Sequence, residues 1–267
     1  MINFKQVLAT TSLITGAIIS LSTGSAQAFS FQTGEALGTC SPIQENAINR
    51  NAPSPDLTSC ETDNGLRLTA GYEEEGNPGN RTDPALLVGK KVGGIVGVGV
   101  NFDRRRKYGV DGEIDAGEYI SLEVTEGPSI FDYIELSFLY QPGVYSDRVF
   151  EVAILETDQG TGTLRVTGDD TAEYSFNGKT TIINALSSSL YRNGGYYRID
   201  NPFGDIKVGQ VKLTAAGNAD DNNTQHDYSL VGAKTIAQVP EPGSAAAILG
   251  LGLLVAKGSR RKKNIRF

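Results

Sequence analysis

Residues 118–140, EYISLEVTEGPSIFDYIELSFLY, decide the fold class, because apolar and polar side chains alternate along two runs separated by a Gly-Pro turn. The apolar faces of the two runs hold Ile120, Leu122 and Val124, and then Ile134, Leu136, Phe138 and Tyr140. Alternation with a period of two is typical of a β-strand that buries one face. The stretch therefore predicts two strands.

The same pattern recurs along the chain, with Gly-, Asn- or Asp-containing turns between the runs. The predicted inward faces are Phe150, Val152 and Ile154; Ala172, Tyr174 and Phe176; Ile206 and Val208; Val211 and Leu213; and Tyr228 and Leu230. A change of register at Gly209-Gln210 predicts a β-bulge. This spacing of short runs is typical of all-β sandwiches. We predict a single antiparallel β-sandwich, jelly-roll-like, over residues 29–236.

Two short segments are helix candidates within this all-β prediction. SPIQENAI, residues 41–48, has Ser41 as a candidate N-cap and Pro42 at the first helical position. TTIINALSSSLY, residues 180–191, has apolar residues at mixed spacings. The glycine-rich run at 92–100 does not open a helix with a nucleotide-binding pattern. Its glycines predict a strand that bends or packs closely.

Charge is divided unevenly along the 267 residues, whose formal net charge is −7. Without the first 28 residues and the tail from Pro240, 17 basic and 30 acidic residues remain, a charge of about −13. A body this acidic repels nucleic acid and anionic lipid. Neutral glycans, cations or basic proteins are the expected partners. The basic run Arg104–Lys107 is interpreted as a solvated loop or edge guard.

The N-terminus predicts a cleaved signal peptide over residues 1–28. One positive charge at Lys5 precedes an apolar stretch from Val7 to Leu21, and the small-x-small pattern follows at Ala26–Ala28. The stretch is short and contains Thr, Ser and Gly, which disfavours a membrane anchor. Signal peptidase is expected to leave a mature chain that starts at Phe29.

Cys40 and Cys60 are the only two cysteines of the chain. They form no C-x-x-C pair, and no second pair completes a metal site. In an oxidising compartment the simplest expectation is one disulfide, and two free buried thiols are the alternative.

The C-terminus, VPEPGSAAAILGLGLLVAKGSRRKKNIRF, ends an acidic protein with an apolar run and a basic tail. The run Ala245–Ala256 is short for a transmembrane helix, and the basic residues after it favour the cytoplasmic side. Together with the signal peptide, the run predicts a stop-transfer segment that holds the body outside the membrane. An ordinary C-terminal anchor is the alternative.

The order of these parts resembles the PEP-CTERM sorting signal, in which a Pro-Glu-Pro motif, here Pro240, Glu241 and Pro242, precedes an apolar span and an Arg/Lys cluster. The resemblance implies recognition by an exosortase, cleavage near the motif, and release or attachment at the cell surface. Residues 237–267 are thus predicted to form a linker and sorting signal, anchored in the membrane only before processing. The body runs DGEIDAGEYISLEV, IELSFLY, FEVAILE, NPFG and DYSLVGAK are similar to those of a group of cyanobacterial PEP-CTERM proteins.

Carboxylates at Asp111, Glu113, Asp115 and Glu118 form the cluster of potential ligands of most interest. Alternate carboxylates in a turn can converge on Ca²⁺, although the spacing does not match an EF-hand. A polar turn that leads into the next strand is the competing interpretation. No cofactor other than this candidate Ca²⁺ is expected.

Candidate chemistry elsewhere is sparse. His226 is the only histidine, no G-x-S-x-G elbow presents a serine, and we expect His226 to be a loop residue and the protein not to be an enzyme. The loop YRNGGYYRID offers Tyr191, Tyr196 and Tyr197 as a surface for extracellular polysaccharide. Three function classes follow: a structural or interaction protein of the cell surface or extracellular matrix, a glycan-binding module, and a hydrolase that uses paired carboxylates. The first is the leading prediction.

Overall fold

The computed structural model describes residues 28–49, 56–72, 84–101, 112–145, 148–190, 194–217 and 226–236. Strands dominate these residues, as the sequence predicts. A 3-10 turn at Gly38–Cys40 leads into one helix, α1 (Ser41–Ile48). The described strands are β1 (Phe29–Ser30), β2 (Ser59–Glu61), β3 (Leu66–Tyr72), β4 (Leu86–Val92), β5 (Ile95–Asn101), β6 (Glu118–Val124), β7 (Phe131–Ser137), β8 (Val152–Thr157), β9 (Gly160–Gly168), β10 (Thr171–Phe176), β11 (Lys179–Asn184), β12 (Tyr197–Asp200), β13 (Gln210–Ala215) and β14 (Ser229–Thr235).

The strands form two sheets, and every strand pairing given by the register is antiparallel. The small sheet has the order β12-β7-β14-β5-β4, with β1 also paired to β14. The large sheet has the order β11-β10-β9-β8-β13-β6-β3-β2. The topology therefore places sequence-distant strands side by side, such as β13 between β8 and β6.

Apolar side chains from both sheets share one hydrophobic core. Leu87 and Val98 of the small sheet and Leu68 and Leu122 of the large sheet belong to this cluster, and all four are fully buried. Burying such side chains is the main favourable term in folding. A common core fits the predicted sandwich. The jelly-roll connectivity and the domain boundaries stay predictions.

The two strands that decide the fold class bury the predicted faces. Ile120 and Leu122 of β6 and Ile134 and Leu136 of β7 are fully buried. However, β7 ends at Ser137, because Phe138 takes a positive φ of 64°. Phe138 and Tyr140 then enter a second, smaller apolar cluster together with Val144.

The inward face predicted for β8 is wrong. Ala153 and Leu155 are fully buried, whereas Val152 and Ile154 are only partly buried. Both faces of this strand are apolar, so alternation alone cannot identify the core side. Ala153 lies opposite Leu164, its register partner on β9, which is fully buried as well.

One of the two helix candidates forms a helix and the other does not. Residues 41–48 form α1, with Pro42 in its first turn and Cys40 as the N-cap instead of Ser41. In the second candidate, residues 180–184 belong to β11, so the helix expectation is wrong there. The run Thr180–Ile183 is β-branched, which favours a strand.

The expected bulge at Gly209-Gln210 is replaced by a strand boundary. β13 begins at Gln210, and Val208 instead forms an isolated bridge with Ser129. The chain therefore changes its pairing partner at Gly209.

Helix α1 packs directly on the backbone of β4. A Cβ at Gly89 would lie 2.3 Å from the carbonyl oxygen of Ile43 and 2.7 Å from Cβ of Ala47. Glycine is therefore required at this contact. The glycine-rich β5 shows the predicted close packing as well, since a Cβ at Gly99 would lie 2.3 Å from the nitrogen of Glu113.

Candidate functional site

The predicted disulfide joins Cys40 to Cys60, with 5.1 Å between their Cα atoms. It ties the residue that caps α1 to β2 at the edge of the large sheet. Cys40 is fully buried and Cys60 is 5% exposed, so the bridge is part of the core. Such a bond is typical of exported proteins, because the cytosol keeps thiols reduced.

Two carboxylates of the cluster, those of Glu113 and Glu118, contact different groups. The Glu113 carboxylate lies 2.5 Å from the Lys90 ammonium, and its side chain is 3% exposed. The Glu118 carboxylate instead accepts a hydrogen bond from the backbone N–H of Asp115, at 3.1 Å. Asp111 lies outside the described residues. Within the described ranges no three His, Cys, Asp or Glu side chains are grouped as a metal site. The Ca²⁺ interpretation stays an expectation.

The two described tyrosines of the loop, Tyr196 and Tyr197, do not form a shared aromatic surface. Tyr197 is fully buried, and its burial raises its pKa to about 12. Tyr196 is half-buried, and its burial and the hydrogen bond that its hydroxyl donates to Glu135 raise its pKa. Tyr191 lies outside the described residues. Tyr197 therefore cannot present its ring to a glycan, because its ring packs in the core.

Charged groups beside this loop interact with one another on the outer face of the small sheet. The Arg198 guanidinium lies 3.7 Å from the centroid of the Tyr133 ring, a cation–π contact. Its Nε donates a hydrogen bond to Asp200 at 2.8 Å, and Nη1 lies 3.8 Å from Glu135. Arg198 thus covers one face of the partly buried Tyr133 ring.

His226 is half-buried in the segment that precedes β14, beside Arg148 and Arg165. Burial, and then the charge of Arg165, lowers the pKa of His226. An imidazole used as a general base with a serine would need a partner carboxylate to orient it and a serine within reach. Among the described residues Nδ1 of His226 has no hydrogen-bond partner, so no carboxylate orients the ring through this atom.

A cleft of about 560 Å³ on the outer face of the large sheet was missed by the sequence analysis. Its lining includes Tyr119, Ser121, Gln210 and Lys212, which lie on the neighbouring strands β6 and β13. The alternation of both runs already places these side chains opposite the core face. The sequence gives no sign that the two strands are neighbours, because nearly 90 residues separate them.

The described residues contain no helix long and apolar enough to cross a membrane. The sorting residues Pro240, Glu241 and Pro242, the apolar span Ala245–Ala256 and the signal peptide lie outside these residues. The structure therefore describes the body, a disulfide-stapled β-protein with a core shared by two sheets.

Comparison with known proteins identifies the C-terminal segment. Residues 238–262 match the family model of the PEP-CTERM protein-sorting motif. The chain matches no curated protein and no solved structure. The motif match supports a PEP-CTERM protein, and it indicates an exosortase-targeted surface protein that is exported and processed. The resemblance of the body to cyanobacterial proteins stays a prediction.

Proposed function

We propose that this chain is an exported structural or interaction protein of the cell surface or extracellular matrix. The observation that carries the proposal is the sorting motif at 238–262, which begins just after β14 ends at Thr235. In this proposal residues 1–28 are removed by signal peptidase, and the apolar span holds the precursor in the membrane until an exosortase acts. The β body then remains outside the cell.

Two properties of the body support an extracellular role. The Cys40–Cys60 bond is suited to an oxidising compartment. The strongly acidic composition keeps the body soluble and away from anionic surfaces. A binding or structural role fits the sparse chemistry better than catalysis, and we assign no catalytic residue.

Glycan binding at the tyrosine loop is the weaker candidate. It would need rings on the surface, whereas Tyr197 lies in the core and the hydroxyl of Tyr196 is hydrogen-bonded to Glu135. The hydrolase candidate is weaker still, because Glu113 forms an ion pair with Lys90 and Glu118 accepts a hydrogen bond from the backbone of its own turn.

The proposal is tested by following the precursor in cells that contain an exosortase. Glu241→Ala should prevent processing, because the enzyme recognises the motif. It should leave membrane insertion intact, because insertion depends on the apolar run. Deletion of every residue after Val239 should remove membrane retention while the body stays folded. Glu126→Ala, at an exposed glutamate between β6 and β7, is the matched control and should be processed normally.

Fractionation with an antibody against the body measures both outcomes. Processing of Glu241→Ala at the normal rate, or a full-length chain that stays in the cytoplasm, would overturn the proposal.

A further inference from the structure

The outer face of the large sheet carries a cleft that is lined from four adjacent strands, with Tyr72 of β3, Ser121 of β6, Lys212 of β13 and Glu156 of β8 among its residues. In the order β3-β6-β13-β8, the register places Thr69, Ser121, Lys212 and Glu156 in one cross-strand row. The neighbouring row begins with Gly71 and Tyr119. Side chains of these rows point away from the core, because Leu68, Ile120, Leu122 and Leu213 on the same strands point into it. The cleft volume of about 560 Å³ falls in the range of ligand sites.

Tyr119 lies across strand β3 as a flat surface. A Cβ at Gly71 would lie 2.0 Å from Cζ and 2.4 Å from Cε2 of the Tyr119 ring. The absence of a side chain at position 71 therefore lets the ring lie on the sheet. The ring is partly exposed, and the Lys212 ammonium lies over it, 4.9 Å from the centroid, so a ligand that packs on the ring takes the place of this ammonium, which stays in reach of Glu156. An aromatic surface and a hydrogen-bond donor thus share one side of the cleft.

The polar groups of the cleft hold one another in place. Nε2 of Gln210 donates a hydrogen bond to Oγ of Ser121 at 2.6 Å. Nζ of Lys212 lies 3.4 Å from the carboxylate of Glu156. An amide, a hydroxyl, an ammonium and a carboxylate are therefore positioned on strands instead of on loops. Each sugar hydroxyl is both a donor and an acceptor, so a mixed set of this kind matches a polyol.

The charges of the cleft favour an uncharged ligand. Lys212 is offset by Glu156, and the exposed Asp158 at the rim adds a further negative charge. The body as a whole is acidic. A polyanion such as a nucleic acid or a uronic-acid polymer would meet net repulsion.

We infer that this outer-face cleft binds a neutral saccharide, with the apolar face of one sugar ring on Tyr119 and its hydroxyls on Gln210, Lys212 and Glu156. The inference rests on the proposed surface location only because such polysaccharides lie outside the cell. It assigns the binding site to residues other than those of the tyrosine loop. Aromatic side chains suit this task because they combine a rigid apolar face with a polar edge.

The test uses the purified full-length chain and an array of neutral and uronic-acid oligosaccharides, followed by calorimetry with the neutral oligosaccharide that binds best. Tyr119→Ala should weaken binding about tenfold, whereas Tyr119→Phe should retain most of it. Gly71→Ala should also weaken binding, because the added Cβ moves an intact ring. Tyr133→Ala, on the outer face of the small sheet, is the matched control and should bind normally.

Gln210→Ala is a second variant, needed if Tyr119→Ala does not fold. It changes an exposed side chain and should also weaken binding. Failure of every neutral oligosaccharide to bind, preference for uronic-acid chains, or full affinity in Gly71→Ala and Gln210→Ala would overturn the inference. These measurements are made in solution, so they do not depend on sorting. A failure of sorting in cells would count against the proposed function alone.

Discussion

Loss of the Cys40–Cys60 bond should destabilise the body by about 3 kcal/mol. The two cysteines are 20 residues apart. Closing a loop of that length removes about 11 cal/mol/K of entropy from the unfolded chain, which corresponds to about 3 kcal/mol at 25 °C. A cost of this size is a large fraction of the stability of a typical domain.

Urea denaturation of the oxidised and reduced protein measures this free energy directly, because reduction removes the cross-link and leaves both sulfurs in the core. The double variant Cys40→Ala/Cys60→Ala should lose somewhat more free energy of unfolding than the reduced protein, since it also leaves a cavity in the core beside α1. Hydrogen exchange should show the earliest opening at α1, which follows Cys40 directly. A difference below about 1 kcal/mol between the oxidised and reduced forms would refute the loop-entropy reasoning.

Two further predictions concern the core. Gly89→Ala should lower the free energy of unfolding by about 1–3 kcal/mol, because the added Cβ meets the backbone of α1. Gly209→Ala should be nearly neutral, because its Cβ would lie 3.5 Å from Cγ of Pro128. Urea denaturation measures both changes. Stability should also fall as the pH rises above 10, because Tyr197 ionises near 10 in the unfolded chain and near 12 when folded, so the unfolded state loses its proton first. The two-unit difference for Tyr197 amounts to about 3 kcal/mol by pH 12. Tyr197→Phe should make the fall less steep without abolishing it, because burial also raises the pKa values of Tyr140, Tyr174, Tyr196 and Tyr228; an unchanged slope in that variant would contradict the assignment.

The local patterns of the sequence identify most strands because one face of each is polar. In β10, Ala172, Tyr174 and Phe176 face the core as predicted, since Glu173 and Ser175 between them favour water. In β8 the rule fails, because Val152 and Ile154 are as apolar as the residues that enter the core. The choice of face there depends on which strands pair with β8, and the local sequence does not contain that information.

The candidate site is harder to predict than the strands for the same reason. The sequence places Tyr119 and Gln210 on outer faces, but only the pairing of β6 with β3 and β13 brings Gly71, Tyr119 and Gln210 together. In the tyrosine loop, closeness in sequence was misleading. Its three tyrosines suggested a shared surface, but side chains alternate between the two faces of β12, so Tyr197 points into the core. The sorting motif was predictable because its recognition depends on a contiguous sequence.

The most direct test of the account is the intact mass of the protein at the surface of cells with and without their exosortase. With the enzyme, the account predicts a chain that begins at Phe29 and ends near Pro240–Pro242. Without it, the chain should begin at Phe29, keep its tail to Phe267 and remain in the membrane fraction. A surface protein of the same mass in both strains, or one that still begins at Met1, would contradict the account.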